Sequence, residues 1–392
     1  MTIAEGSLKR VAVACGSLVL LSSCWSDEPF VKELPAEGDV CADPDGNIYV
    51  SSFGYPLAAP GYTTKYDAEG DSLHTIPRGG DVACDSEGNV IVAQRDNTDN
   101  ADSARPISKF NGNGQLLWER TYAGRLHLDG SNNVVLIGPR AIRLSPSGAL
   151  LNDLALSFPA PLNVTQSTVK SAGNLVFAGN FTGTLTMNGR TLTTPGYRTV
   201  VFETSWNGQP IWHYAPATSG YVGSTAVTED TEPTAITTDE TGNVIFMAQI
   251  LGQVEFPDGR IAQWPGTESA PVRLDIIYKL SPSGQPVWGR DYSPFLNPRL
   301  ELDTDDSGNI VVAGSYHQNY FPFMEPALLK FSPTGELVWE DGATLPGYEH
   351  RGGSHYAVDV DAHGNVVSLF KDVVRDPVEE HRTVHALAKR AP

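Results

Sequence analysis

A polar run that closes on Gly-Asn and opens into four or five apolar or β-branched residues recurs along this chain. Its clearest copies are Asp43-Pro44-Asp45-Gly46-Asn47-Ile48-Tyr49-Val50, Asp85-Ser86-Glu87-Gly88-Asn89-Val90-Ile91-Val92 and Asp305-Asp306-Ser307-Gly308-Asn309-Ile310-Val311-Val312. Asp239 to Phe246 and Asp361 to Val367 repeat it, Gly173 to Phe177 keeps its second half, and Asn132 to Val135 is a degenerate copy, which makes seven. Gly and Asn accept positive φ, so the pair between two β-prone runs is a tight turn. Its recurrence marks one supersecondary unit used repeatedly, and a repeat spread along 392 residues argues for one closed array rather than two or three unrelated domains.

A second phrase follows each Gly-Asn strand. Lys109 to Trp118, Lys279 to Trp288 and Lys330 to Trp339 each read as a strand, a Gly-centred turn and a strand ending in Trp; looser copies run from Lys65 to Leu73, Arg143 to Leu151 and Glu203 to Trp212. One unit therefore holds four short antiparallel strands. With almost no helix-period pattern, that is the signature of a β-propeller blade, and the fold class expected is all-β, a seven-bladed β-propeller. Six units are complete. The seventh has only a third strand, Thr383 to Lys389, while Pro29 to Pro35 stands ahead of the first unit as a strand without a blade. The N-terminal strand is expected to complete the last blade, removing open edges. Excess residues sit at Phe181 to Arg198, Ala215 to Pro233, Leu251 to Asp275 and Tyr316 to Pro326, and the first reads as an extra hairpin about Asn188-Gly189. Loops carry function more often than blade cores, so blades four to six are expected to build any binding face.

Lys9 and Arg10 precede an apolar run, Val11 to Leu21, too short to span a bilayer. The run ends in Leu21-Ser22-Ser23-Cys24, which resembles the lipobox of bacterial lipoproteins. That resemblance implies a signal peptide over residues 1–23, lipidation of Cys24, and a single propeller domain over residues 24–392 at the outer membrane or cell surface. Cys41 and Cys84 remain, on equivalent strands of successive units; a disulfide and two free thiols both stay open, because spacing does not supply a Cα separation. A formal charge of -19 repels phosphate backbones and anionic headgroups, which disfavours nucleic-acid binding and any membrane contact other than the lipid.

The stretch from Gly173 to Trp212, with its Gly-Asn-Leu-Val-Phe-Ala-Gly strand, Phe-Thr-Gly-Thr-Leu hairpin and Gly-Gln-Pro-Ile-Trp close, resembles the β-propeller repeats of secreted and lipid-anchored myxobacterial proteins. The resemblance implies architecture and no catalytic residue. A fainter likeness, the Gly-x-x-x-Trp phrase, is to propellers that bind pyrroloquinoline quinone, but the vicinal cysteines common there are missing from this sequence.

Candidate chemistry lies at three places. Five residues before the turn glycines, one residue slipped in the third unit, stand Cys41, Ala83, His127, Thr168, Thr237, Asp303 and Asp359, on inner strands expected to line a central channel. Near the entry to those strands stand the cations Arg78, Arg299 and Arg351, with His355, able to bind a carboxylate or sugar acid or to pair with nearby acids. The loop holding Tyr316, Tyr320 and Phe321 offers aromatic faces for a sugar or peptide. Asp303 and Asp305 match the first half of an EF-hand loop, but Gly314 falls where the bidentate Glu belongs, so they read as turn formers first and Ca2+ ligands second. No other cofactor is indicated. No nucleophile elbow, zinc-protease helix or phosphate loop is present. The leading expectation is a monomeric, lipid-anchored binding or scaffold module for envelope proteins, a polysaccharide or a peptide. The alternatives are a propeller enzyme, quinone dehydrogenase-like or polysaccharide lyase-like, with its site at the channel mouth, and an accessory lipoprotein in envelope assembly.

Overall fold

The computed structural model describes residues 30–34, 38–53, 61–94, 103–219, 221–222, 225–226, 230–263, 274–292, 300–317, 324–341, 350–374 and 382–392, and among them there is no helix. The strands form a β-propeller-like, all-β fold of four-stranded antiparallel units. In chain order the innermost strands of these sheets are Gly38–Ala42, Gly80–Cys84, Arg125–Leu128, Asn163–Val169, Asp230–Thr238, Glu301–Thr304 and His350–Val360. We number the sheets one to seven accordingly. Sheets four and five are joined by a single parallel bridge, Tyr197 to Asp230. The fourth strand of sheet seven is Phe30–Leu34, antiparallel to Arg382–Arg390, so the N-terminal strand completes the last sheet as expected.

Under the turns of sheets one, two, three, five and six lies the same device. Asp85 accepts the Asn89 N–H at 2.9 Å, and its other oxygen lies 2.6 Å from Lys109 Nζ on the third strand. Asp43 with Lys65, Asp239 with Lys279 and Asp305 with Lys330 repeat the pair at 3.2, 3.0 and 3.1 Å. Arg143 takes the lysine's part with Asp129 in sheet three. Apart from the half-buried Arg143, these charges are almost wholly buried. Burial alone would raise the carboxyls of Asp85, Asp239 and Asp305, yet the Asn and Lys donors hold them below the ordinary aspartate value. Sheet four exchanges the signs. Lys170 stands at the turn, Glu203 on the third strand, and the two pair with Asn174 as a further donor to Glu203 at 2.6 Å.

The same groups reach the next sheet. Lys65 donates to Gly112 O, Lys109 to Pro146 O, Lys170 to Pro282 O and Lys389 to Ala68 O, each carbonyl lying in the outer turn of the following sheet. The indole N–H groups of Trp118, Trp212 and Trp288 donate to Pro146, Pro282 and Pro333 carbonyls. A Cβ on Gly148 or Gly284, at φ 79° and 77°, would lie 2.8 and 2.3 Å from the Trp118 and Trp212 rings, so glycine serves both the turn and the close approach. In sheet seven Phe30, paired with Lys389, takes the tryptophan's seat and packs on Gly70 of sheet one. Trp339 differs: it is half-buried against Val311, Ala313, Leu328 and Val366.

Cys41 and Cys84 form a disulfide between the innermost strands of sheets one and two, with Cα atoms 5.6 Å apart. The innermost strands also touch in sequence, one to two, two to three and onward to seven, and seven touches one. The excess residues after Phe181 form the expected hairpin. Leu175–Met187 and Arg190–Thr204 continue past a bulge at Phe181/Gly183 to a turn in which Asn188 and Gly189 both have positive φ. Further excess forms a three-stranded sheet from Ala217–Ser219, Gln253–Glu255 and Ile261–Gln263.

Replacing Trp118 or Trp288 by Ala should cost about 3–5 kcal/mol in denaturant unfolding, the range for truncating a large core aromatic, whereas Trp339→Ala should cost clearly less. Replacing both Cys41 and Cys84 by Ala opens a 43-residue loop and should cost about 4 kcal/mol in the chain-entropy account, read as a lower midpoint.

Candidate functional site

The innermost strands do not simply turn alternate side chains into a channel. Sheets stand face to face, so successive side chains point toward one neighbouring sheet and then the other, and Cys41 accordingly packs in the apolar layer with Tyr49, Val82 and Val92. Asp303 and Asp359 are used in the same way. Asp303 Oδ2 accepts the Val360 N–H at 2.8 Å, and Asp359 Oδ2 accepts the Ala42 N–H at 2.6 Å. Asp39 Oδ2 accepts the Val82 N–H at 2.9 Å. These carboxyls staple sheet six to seven, seven to one, and one to two. Asp305 sits one turn away in its Lys330 pair, so the calcium reading of Asp303 and Asp305 gives way to bonding within the protein. Among the described residues no three His, Cys, Asp or Glu side chains converge as a metal site.

Asp303 and Asp359 are half-buried among the inner strands. Burial raises both, Asp303 to about 6 and Asp359 well above the usual range, and the mutual repulsion of the two carboxylates adds to the rise in Asp359. Asp359, raised the further of the two, is the carboxyl that keeps its proton to higher pH. His127 is pushed down to about 4 by burial and by Arg125, and His355 to about 3 by burial alone. Both imidazoles are neutral near pH 7. His355 is not at an opening: it is fully buried against Phe370, with ring centroids 5.2 Å apart. Arg78 is half-exposed, 3.7 Å from Glu119, a surface pair of small energy. Arg105, which the sequence did not single out, is the firmly held cation of this end, bonded to Asp81 at 3.2 Å and to Gly124 O at 3.0 Å. Cys24, Arg299, Tyr320 and Phe321 and the side chains of Tyr316 and Arg351 lie outside the described residues.

Two ends of the molecule are thus chemically unlike. The Gly-Asn end repeats one device with small variations. The other end is where sheets four to seven lengthen: strands of 13 and 15 residues in sheet four, 8 and 8 in sheet six, 11, 9 and 9 in sheet seven. It also carries a buried acid without a strong partner. Asp275 is 1% exposed, burial pushes it up to about 7, and among the described residues Gln249 is the side-chain donor that counters the rise. Its carboxylate oxygens fall outside strict hydrogen-bond geometry with that amide, so burial dominates its behaviour.

The fold and this arrangement define a β-propeller-like protein. No protein-family model matches the chain, and no curated protein matches it. Among solved structures it is similar to the polysaccharide lyase Uly1, at 9% identity over 96% of this chain and 94% of that one, with a TM-score of 0.52. It is also similar to an ulvan lyase of a polysaccharide lyase family, PL25, at 12% identity over 90% and 95%, TM-score 0.49. A putative 6-phosphogluconolactonase from Bacteroides uniformis aligns at 12% identity over 86% and 95%, TM-score 0.45. At these identities the likeness concerns the fold.

The raised carboxyl pair predicts a pH dependence. A group whose folded pKa lies above its unfolded value, near 3.9 for Asp, stabilises fully below that value and loses the contribution as pH rises through the folded pKa. Stability should therefore fall from about pH 4 upward through pH 6 at this seam, and Asp359→Asn, which leaves one ionisation in place of two, should flatten the fall. Equal slopes in parent and variant, measured by urea unfolding across that range, would exclude the pair as the cause.

Proposed function

We propose that the chain is a closed ring of seven four-stranded blades that acts on an acidic polysaccharide at the bacterial envelope, tethered there by a lipid on Cys24. The cyclic contacts of the innermost strands and the terminal strand pairing support the ring. The observation that carries the functional half is the asymmetry of the two ends, joined to a likeness to Uly1 that spans nearly the whole chain. The Gly-Asn end is consumed by inter-sheet bonding. The end where sheets four to seven lengthen is free to vary, and Arg299, Tyr316, Tyr320 and Arg351 belong by chain order to the part of the sequence that builds sheets six and seven.

Elimination from a uronate needs a cation at the carboxylate, a base for the proton beside it, and an acid for the departing oxygen. In this reading Arg299 and Arg351 neutralise the carboxylate, and Tyr316 and Tyr320 serve as sugar platform and proton carrier. Asp303, Asp359 and His355 take no part, since their bonding or burial commits them to the fold. A second reading, glycan or envelope-protein binding without turnover, is favoured by one observation: burial holds the inner-strand histidines His127 and His355 neutral and low in basicity, which makes both poor proton carriers. In either reading the chain keeps company with the lipid-anchored propeller-repeat proteins that its Gly173 to Trp212 stretch resembles.

Incubation of the protein from Cys24 onward with uronate-containing polysaccharides should release products with the ultraviolet absorbance of an unsaturated uronate. Arg351→Ala should slow release by about 10²–10³-fold, the scale for removing one charge-stabilising donor. Saturable binding without product would select the second reading, and neither binding nor product would remove both.

A further inference from the structure

Asp275 takes no part in the bonding between sheets. It stands on the third strand of sheet five, almost wholly buried, and neither carboxylate oxygen meets a protein donor in good geometry. A buried polar group in that condition calls for a partner. Its direction follows from its neighbours, since Ile245, Met247 and Ile277 pack in one apolar layer with Val312, Ala327 and Leu329 of sheet six. Side chains two apart along a strand share a face, so Gln249 and Asp275 point toward sheet six as well. Glu232 pairs with Gln249 and Gln249 with Asp275, which makes a row of oxygen-bearing side chains across three adjacent strands on that face. Thr234 joins the row. It is the inserted residue of the bulge between Pro233 and Ala235, placed beside Ala235 of the same layer, and its hydroxyl oxygen is also buried without a partner. On the facing wall Ala327 pairs with Gly314, so sheet six answers with small residues.

We propose that Glu232, Thr234, Gln249 and Asp275 form a binding site for a calcium ion between sheets five and six. Every donor in the set is an oxygen, the chemistry of a hard cation, whereas a transition metal would be drawn to sulfur or imidazole. Two carboxylates balance the charge of the ion, so the occupied site buries no net charge. Calcium takes about six to eight oxygens with tolerant angles, a demand that two carboxylates, an amide and a hydroxyl largely meet. Magnesium asks for a tighter octahedron and gives up its water reluctantly, so it fits less well. The Gln249 amide, which serves Asp275 as a donor, turns over to offer Oε1 to the ion. Glu232 is exposed and provides the way in, while Asp275 closes the inner side. The site does not depend on the polysaccharide reading, and each can fail without the other.

The test is calorimetric titration of the chelator-stripped full chain with calcium chloride in about 0.15 M salt, which screens diffuse attraction to the acidic surface. One ion per chain should bind saturably, and the melting temperature should rise as calcium is added. Asp275→Asn should weaken binding by about tenfold or more, the least expected when a ligand is removed. Without calcium that variant should melt no lower than the parent, because it lacks a buried ionisable group. Thr234→Val, which removes the hydroxyl, should weaken binding by a smaller factor. Asp45→Asn, at an exposed turn, should leave the affinity unchanged. Absence of saturable binding, unchanged affinity in Asp275→Asn, or equal losses in Asp275→Asn and Asp45→Asn would overturn the proposal.

Discussion

The buried ion pair beneath six of the seven inner turns is the constraint on which the other contacts rest. A carboxylate taken out of water is tolerable only with its lone pairs satisfied, and each of these Asp residues collects an Asn backbone donor, an Asn or turn donor and an ammonium or guanidinium. Removing one partner would leave the other charge buried alone, the costly outcome for such pairs. Because several of the lysines also donate to the following sheet, the pair fixes the turn within its own sheet and the distance to the next one. Tryptophan packing on the neighbouring turn glycine then has a set position to fall into.

The unit was legible because its turn chemistry is local. Gly-Asn, the Lys on the third strand and the Gly-x-x-x-Trp close are read from neighbours in sequence, and the predicted hairpin at Asn188-Gly189 rests on the same logic. The N-terminal strand could be placed by counting strands alone. What the chain did not show is which way an inner-strand side chain points relative to the neighbouring sheets. Asp303 and Asp359 therefore read as channel lining, although their partners, Val360 and Ala42, are 57 and 317 residues away. Phe30 as stand-in for a tryptophan was equally hidden, since its equivalence rests on pairing with Lys389 at the far end of the chain. The Cys41–Cys84 bond needed a Cα separation that spacing alone does not provide.

Chemical uniformity at one end and variety at the other follow from this division of labour. At the Gly-Asn end the Asn donors close their own turns and several lysines and tryptophans reach the next sheet, which makes that end stiff and repetitive. At the opposite end, bulges at Phe181/Gly183, Pro233/Ala235 and His350/Gly353 interrupt the registers just where strands lengthen. Bulges re-aim side chains and end regular pairing, so this end can change its loops without disturbing the interlock below.

The exchanged signs of Lys170 and Glu203 have a consequence for a chain built of near-copies. Repeats invite mistaken partnerships, because a third strand from one unit could lie beside the turn of another while folding. Were the strand bearing Glu203 to settle against an aspartate turn, two carboxylates would meet in a buried place; were Lys170 to meet another unit's lysine, two ammonium groups would. Sheet four thus carries a password that the other units cannot answer, and it separates the evenly spaced first half of the chain from the longer, more irregular second half.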